Sequence, residues 1–187
     1  MEKYTLGGGA LEEWDVYDRA GRPTGERIGP GKRPGEGFYQ LAAEAWIFNP
    51  RGELLVQQRG PDCATLPGVW GMTTGKVRAG EGSREGLCRE IEEELGLLVR
   101  PQELAFMARI FREDGTRFVW DVYTLLRDAP VEALRLQPEE VADARWLSAR
   151  ELAEWLCSGK LYVYPEIVDM LSTAQRIHGF LPLGGGK

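Results

Sequence analysis

The stretch that decides the reading is GKVRAGEGSREGLCREIEEELGL, residues 75–97. It fits the spacing G-x5-E-x7-R-E-U-x-E-E-x-G-U, with U a bulky apolar residue, without gap or exception. The fixed places are Gly75, Glu81, Arg89, Glu90, Glu93, Glu94 and Gly96, with Ile91 and Leu97 at the apolar ones. At roughly 6–7% usage per residue type, seven fixed places make a chance match on the order of one in 10⁸ per site.

The segment predicts a helix from Ser83 to Leu95, with Ser83 as N-cap and Gly96 as the C′ residue. At about 100° per residue, Glu90, Glu93 and Glu94 share one face, and Leu87, Ile91 and Leu95 lie on an adjacent arc that can anchor a core. Gly86, one turn before Glu90, leaves room on the acidic face for a ligand. Like charges this close repel by a few tenths of a kcal/mol per pair. A solvated acidic face is the plain alternative, but such faces intersperse lysine and residues 83–97 contain none. Divalent cations bound by carboxylate oxygens would relieve the repulsion.

Outward from this segment, 187 residues suit one domain, and neither repeat nor linker divides them. The expected layout is an N-terminal extension over 1–37 packed on the domain, the domain itself over 38–180, and a flexible tail over 181–187. No run approaches the ~20 apolar residues of a membrane span. The first residues carry acids where a signal peptide would be apolar, so a cytoplasmic protein is expected. The net charge of −6 argues against general nucleic-acid binding. Cys63, Cys88 and Cys157 have neither disulfide-framework nor zinc spacing, and His178 is the single histidine. Triad chemistry and imidazole metal sites are thereby disfavoured, which leaves oxygen ligands and Mg²⁺ or Mn²⁺.

Along the chain, Trp14–Tyr17 reads as a strand, and the turn-rich 18–25 suggests a hairpin or flap. Residues 38–48 (FYQLAAEAWIF) and 53–59 (ELLVQQR) flank the turn Asn49-Pro-Arg-Gly52 as a second hairpin. Residues 60–74 read as loop. Strands at 104–112 and 117–127 join through Asp114-Gly115, residues 128–139 read as loop, and 142–146 as a short strand. Helices follow at 149–157 and 165–178.

Residues 75–97 resemble the Nudix box. The hairpin WIFN…LLVQQR, LPGVW before the box and EEVADARWLS after it extend the resemblance to residues 38–157. It implies an α/β fold, a mixed β-sheet sandwiched between α-helices, and Mg²⁺-dependent hydrolysis of a diphosphate linkage by water. By resemblance, Glu90, Glu93 and Glu94 would ligate the metal with the Gly75 carbonyl. Arg89 would orient a carboxylate, Glu81 would stabilise the same turn, and Gly96 would end the helix. For the general base, Glu90 comes first and Glu140 second.

The extension WDVYDRAGRPTG followed by GFYQLAAEAWIFN is similar to the isopentenyl-diphosphate isomerase branch and its hydrolase cousins. Thr74, however, stands where the isomerases have a cysteine, and Lys76, Gln40 and Arg33 stand where histidines are expected. A threonine hydroxyl cannot replace a thiol as the acid that protonates an alkene, so the hydrolase reading leads. The isomerase and a non-catalytic ligand-binding module are the alternatives. The substrate expected is a small nucleoside diphosphate or a diphosphate-linked derivative. Arg33, Arg59, Lys76 and Arg78 could contact its phosphates. Phe38, Tyr39, Trp46, Phe111 and Trp120 could stack on a base or simply pack the core. Oligomeric state stays open; relatives often pair, so a homodimer with the extension between subunits is one arrangement.

Overall fold

Strand β3 (Tyr39–Phe48) organises the molecule. The computed structural model describes residues 12–113 and 115–180, and every residue of β3 is buried. Leu41, Ala43, Ala45 and Ile47 face one hydrophobic cluster, and Trp46 and Phe48 face the other. A strand covered on both sides reads as a near-continuous apolar run, which explains QLAAEAWIF.

One edge of β3 is paired along its length, in parallel, with β8 (Phe118–Leu126), from Gln40↔Phe118 to Phe48↔Leu126. The other edge is shared by three short antiparallel partners in turn. β1 (Trp14–Tyr17) takes Tyr39 and Gln40, β6 (Thr73–Lys76) takes Ala42–Ala45, and β4 (Leu54–Arg59) takes Ile47 and Phe48. Beyond Leu55, β4 leaves β3 and takes the two-residue β5 (Trp70–Gly71) on that edge, while β9 (Val141–Leu147) runs along its other edge from Leu54 to Arg59. The sheet therefore splits between β4 and β6. β2 (Pro23–Ile28) extends β1, and β7 (Ala105–Phe111) lies antiparallel on β8.

Helix α1 (Ser83–Leu95) covers one sheet face through Leu87, Ile91 and Leu95, all with no exposed surface. Burying each contributes about 1.5–3 kcal/mol. The other face is covered by α2 (Ala149–Ser158) and α3 (Ile167–His178), with Trp155, Met170 and Leu171 among the buried residues. The mixed sheet between helices matches the expectation, as does the N-terminal hairpin, whose β1 joins the main sheet directly.

Several details differ. Gly82, not Ser83, is the N-cap of α1, in extended backbone and without a side-chain bond. The Ser83 hydroxyl instead pairs with the Tyr123 hydroxyl at 2.6 Å. Residues 60–74 are not all loop, because long-range pairing such as Gln58↔Trp70 recruits β5 and the start of β6 from a stretch punctuated by Gly and Pro. The 128–139 segment carries a 3₁₀ turn at Val131–Ala133. Asp114 of the expected turn, the 181–187 tail and residues 1–11 lie outside the described residues. Among those described, no helix is long and apolar enough to cross a membrane.

Candidate active site

Arg89 gathers the loop, the helix and the end of β6. Its Nε and Nη2 donate to the two oxygens of Glu81 at 2.9 and 3.0 Å, and Nη2 also reaches the Lys76 carbonyl at 3.1 Å. Its Nη1 donates to Glu90 Oε1 at 2.8 Å and Glu93 Oε2 at 2.9 Å. A rigid planar fork with five N–H groups can do this; an ammonium cannot. Burial pushes the Glu81 carboxyl up, but the bonds from Arg89 and the Arg78 backbone outweigh it and hold the group below its ordinary range. Gly86 serves this loop rather than a ligand: a Cβ there would meet Glu81 at 3.1 Å and Val77 at 3.3 Å.

Glu94 sits over the split in the sheet and is only 2% exposed. Gln57 Nε2 on β4 donates to its Oε2 at 2.5 Å, and Thr73 Oγ1 on β6 donates to Gln57 Oε1 at 2.9 Å. The two strands that part company are thus rejoined by side chains that aim one carboxylate. Burial raises Glu94 to about 8; Gln57 opposes the rise, and the charges of Glu90 and Glu140 add to it.

Glu90 is packed against Gly75, where an added Cβ would lie 2.0 Å from the Glu90 Cδ. Burial raises its carboxyl, Arg89 pulls it down, and Glu93 and Glu140 push it up again. The same couplings put the exposed Glu140 within electrostatic reach of both Glu90 and Glu94. The Gly60 N–H donates to the Glu140 carbonyl at 2.7 Å, fastening that loop to the end of β4. Glu93 is 41% exposed and meets Arg89 and, at 3.4 Å, Arg78 Nη1.

A merely solvated acidic face does not describe a helix with Glu94 buried and Glu90 largely so. The donor set suits a divalent cation: carboxylates raised by burial and mutual repulsion, a glycine cradle, and no imidazole among them. His178 is elsewhere, its Nε2 2.7 Å from Thr124 Oγ1 on β8. Among the described residues, no three acidic, cysteine or histidine side chains form a ready-made cage. Glu93 is turned to its arginines, and joining Glu90 and Glu94 on a metal means exchanging those partners.

The expected phosphate contacts divide. Arg59 lies close enough to lower Glu94 by its charge, while its Nε donates to the Thr65 carbonyl at 2.8 Å. Lys76 points to the sheet face away from α1, with Nζ 4.4 Å from the Trp14 ring. Arg33 is exposed between β2 and β3 and makes no hydrogen bond or ion pair among the described residues. Tyr39 and Trp46 are core residues rather than open stacking platforms, and Tyr39 packs edge-on against Phe111 at 5.3 Å. Thr74 Oγ1 donates to the Met72 carbonyl at 3.2 Å. Gln57 and Thr73 escaped the sequence reading; the one available signal was a glutamine at an inward place of LLVQQR.

The comparisons agree with this geometry. Residues 38–167 match the model of the NUDIX domain family. An uncharacterized Nudix hydrolase of Listeria monocytogenes is 32% identical over 171 residues, covering 90% of this chain and 99% of that protein. An isopentenyl-diphosphate Delta-isomerase of Shigella flexneri is 29% identical, covering 70% of this chain and 74% of that one. The crystal structure of DR0079 from Deinococcus radiodurans shares the fold at a TM-score of 0.66 and 20% identity, over 87% of this chain and 99% of that one. The chain belongs to the Nudix family. With its box complete and Nudix hydrolases among its relatives, it is a hydrolase of phosphorus-containing acid anhydrides.

Proposed function

We propose that the chain hydrolyses the diphosphate linkage of a nucleoside diphosphate derivative, with Mg²⁺ as cofactor, Mn²⁺ as a substitute, and water attacking phosphorus. The observation that carries this reading is the withdrawal of Glu94 and Glu90 from water beside Glu93, with Arg89 as the cation bonded to two of the three. Glu90, Glu93 and Glu94, with the Gly75 carbonyl, would hold the metal. Bound there, it would polarise phosphoryl oxygens and make water acidic.

The remaining work belongs to this chain's own side chains. Arg89 positions Glu90 and Glu93, and Gln57 positions Glu94. Arg59, beside the buried acid, is the cation best set to meet the phosphates of the bond that is cut; Lys76 belongs to the opposite sheet face. The arginine bond on Glu90 Oε1 ties down that oxygen, which supports the exposed Glu140 as the base that removes the proton from water. The acidic composition fits a small-molecule substrate in the cytoplasm rather than a nucleic acid.

The test is a panel of nucleoside diphosphates and sugar nucleotides assayed for phosphate release with Mg²⁺. Release that disappears in Glu93→Gln with the fold intact supports the reading. Metal-independent binding without turnover would turn it toward a ligand-binding module, and allylic isomer formation toward an isomerase. Against the isomerase, Thr74 brings a hydroxyl already bonded to the Met72 carbonyl.

A further inference from the structure

The sheet face away from α1 carries an unanswered set of hydrogen-bond donors. Among the described residues, five buried side-chain nitrogens find no partner within the protein, and four of them lie on this face: Trp14 Nε1, Gln40 Nε2, Trp120 Nε1 and Arg112 Nη2. An unsatisfied buried donor costs about 1–3 kcal/mol, so native chains tolerate few of them. Here they cluster.

The strand register brings them together. Ala42, a short side chain, has Lys76 of β6 on one side and Trp120 of β8 on the other. Gln40 and Glu44 are the next residues of β3 on that same face. Trp14 joins through Lys76, whose Nζ stands 4.4 Å from its ring. Arg112 reaches over the rings of Trp120 and Tyr164 at 5.5 and 5.0 Å, with Nη1 donating to Glu166 at 2.8 Å while Nη2 stays unused. Gln40 is 3% exposed and its amide nitrogen is idle. The acid within this patch, Glu44, already receives Trp46 Nε1 at 2.7 Å and Tyr164 Oη at 2.6 Å on one oxygen. Glu166 and Glu44 offset the charges of Arg112 and Lys76, yet the bonds they take leave the four N–H groups unused, beside an ammonium and flat aromatic surface.

We infer that this face binds an oxyanion, a phosphate or carboxylate, held by Gln40, Trp120, Trp14, Arg112 and Lys76. Taken with the hydrolase reading, on which this clause rests, the oxyanion belongs to the substrate outside the bond that is cut. The substrate class is then a diphosphate carrying a further phosphate or carboxylate, and Gln40 is a specificity residue.

The test uses the full chain, ¹⁵N-labelled and free of metal, titrated with inorganic phosphate and separately with acetate. The indole N–H signals of Trp14 and Trp120, identified by their loss in Trp14→Phe and Trp120→Phe, are expected to move downfield and saturate. The other indoles stay in place. Gln40→Leu weakens the response about tenfold, as expected for one hydrogen bond to a charged group. Saturation by phosphate alone, or by acetate as well, tells which oxyanion the patch takes. Glu93→Gln retains the response, so a wild-type chain that responds but turns over no diphosphate refutes the hydrolase reading and leaves the anion site standing. Indoles that do not shift, that merely exchange with water, or shifts confined to the backbone of 75–82, overturn the proposal.

Discussion

Gln57 Nε2 lies 2.5 Å from Glu94 Oε2, and this single bond joins the strand that leaves the sheet to the most deeply buried acid of the box. It holds Glu94 below the value that burial alone would impose. Gln57→Leu keeps much of the volume and removes the donor, so the carboxyl rises further. Since a metal ligand must be ionised, the acid limb of the pH–rate profile moves to higher pH. Losing a group that orients a metal ligand reduces kcat/KM at neutral pH by about 10–100-fold. An unchanged acid limb would show that Glu94 is not the ligand the bond serves.

Gly75→Ala tests the contact between the first residue of the box and Glu90. The added Cβ would fall 2.0 Å from Glu90 Cδ, a distance that forces the side chain aside. A displacement of about 1 Å at a catalytic group can reduce the rate about 10²-fold. The expected outcome is that loss in kcat/KM together with weaker Mg²⁺ binding by calorimetry. Thermal stability changes little, because Glu90 can swing toward solvent.

The box helix, the β3–β4 hairpin and the two terminal helices were legible because each is written in local spacing. Leu87, Ile91 and Leu95 repeat at helical intervals, and Gly96 ends α1 in left-handed backbone. The cap was misread because Ser83 has a partner from β8, Tyr123, that no local rule can reveal. The split between β4 and β6 was illegible for the same reason: it arises from three strands competing for one edge of β3. Thus Glu94 was legible as an acid on the box helix face, while the Gln57 and Thr73 that aim it were not. Arg33 lies on a turn-rich segment whose register no local rule supplies, so its place relative to the box was not legible.

Arg89→Lys probes the fork. Arg89 donates to Glu81 twice, to Glu90, to Glu93 and to the Lys76 carbonyl. A lysine can satisfy at most three acceptors and cannot span them in one plane. The expected result is a fall in kcat of about 10–100-fold with substrate KM nearly unchanged, since the lost contacts position carboxylates rather than substrate. A change in KM alone would mean that Arg89 binds substrate instead.

The last expectation concerns acid, base and metal together. Burial raises Glu94 from 4.5 to about 8 and Glu44 from 4.5 to about 7. Each keeps a proton in the folded chain over a range where the unfolded chain has lost it. Each therefore contributes stability that is complete below pH ~4.5 and disappears as the pH rises through about 7 for Glu44 and about 8 for Glu94. The melting temperature of the metal-free chain should accordingly fall from pH 5 to pH 8.5. Glu44→Gln should flatten the lower part of that fall and leave the response to Mg²⁺ intact. Glu94→Gln should flatten the fall along its whole length, including the part above about pH 7 that Glu44 does not share, and blunt the response. Mg²⁺ held by Glu94 would compete with its proton, so it should raise the melting temperature more at pH 8 than at pH 6. Scanning calorimetry at the two pH values decides the matter: equal stabilisation at both would separate Glu94 from the metal and leave its burial without a catalytic purpose.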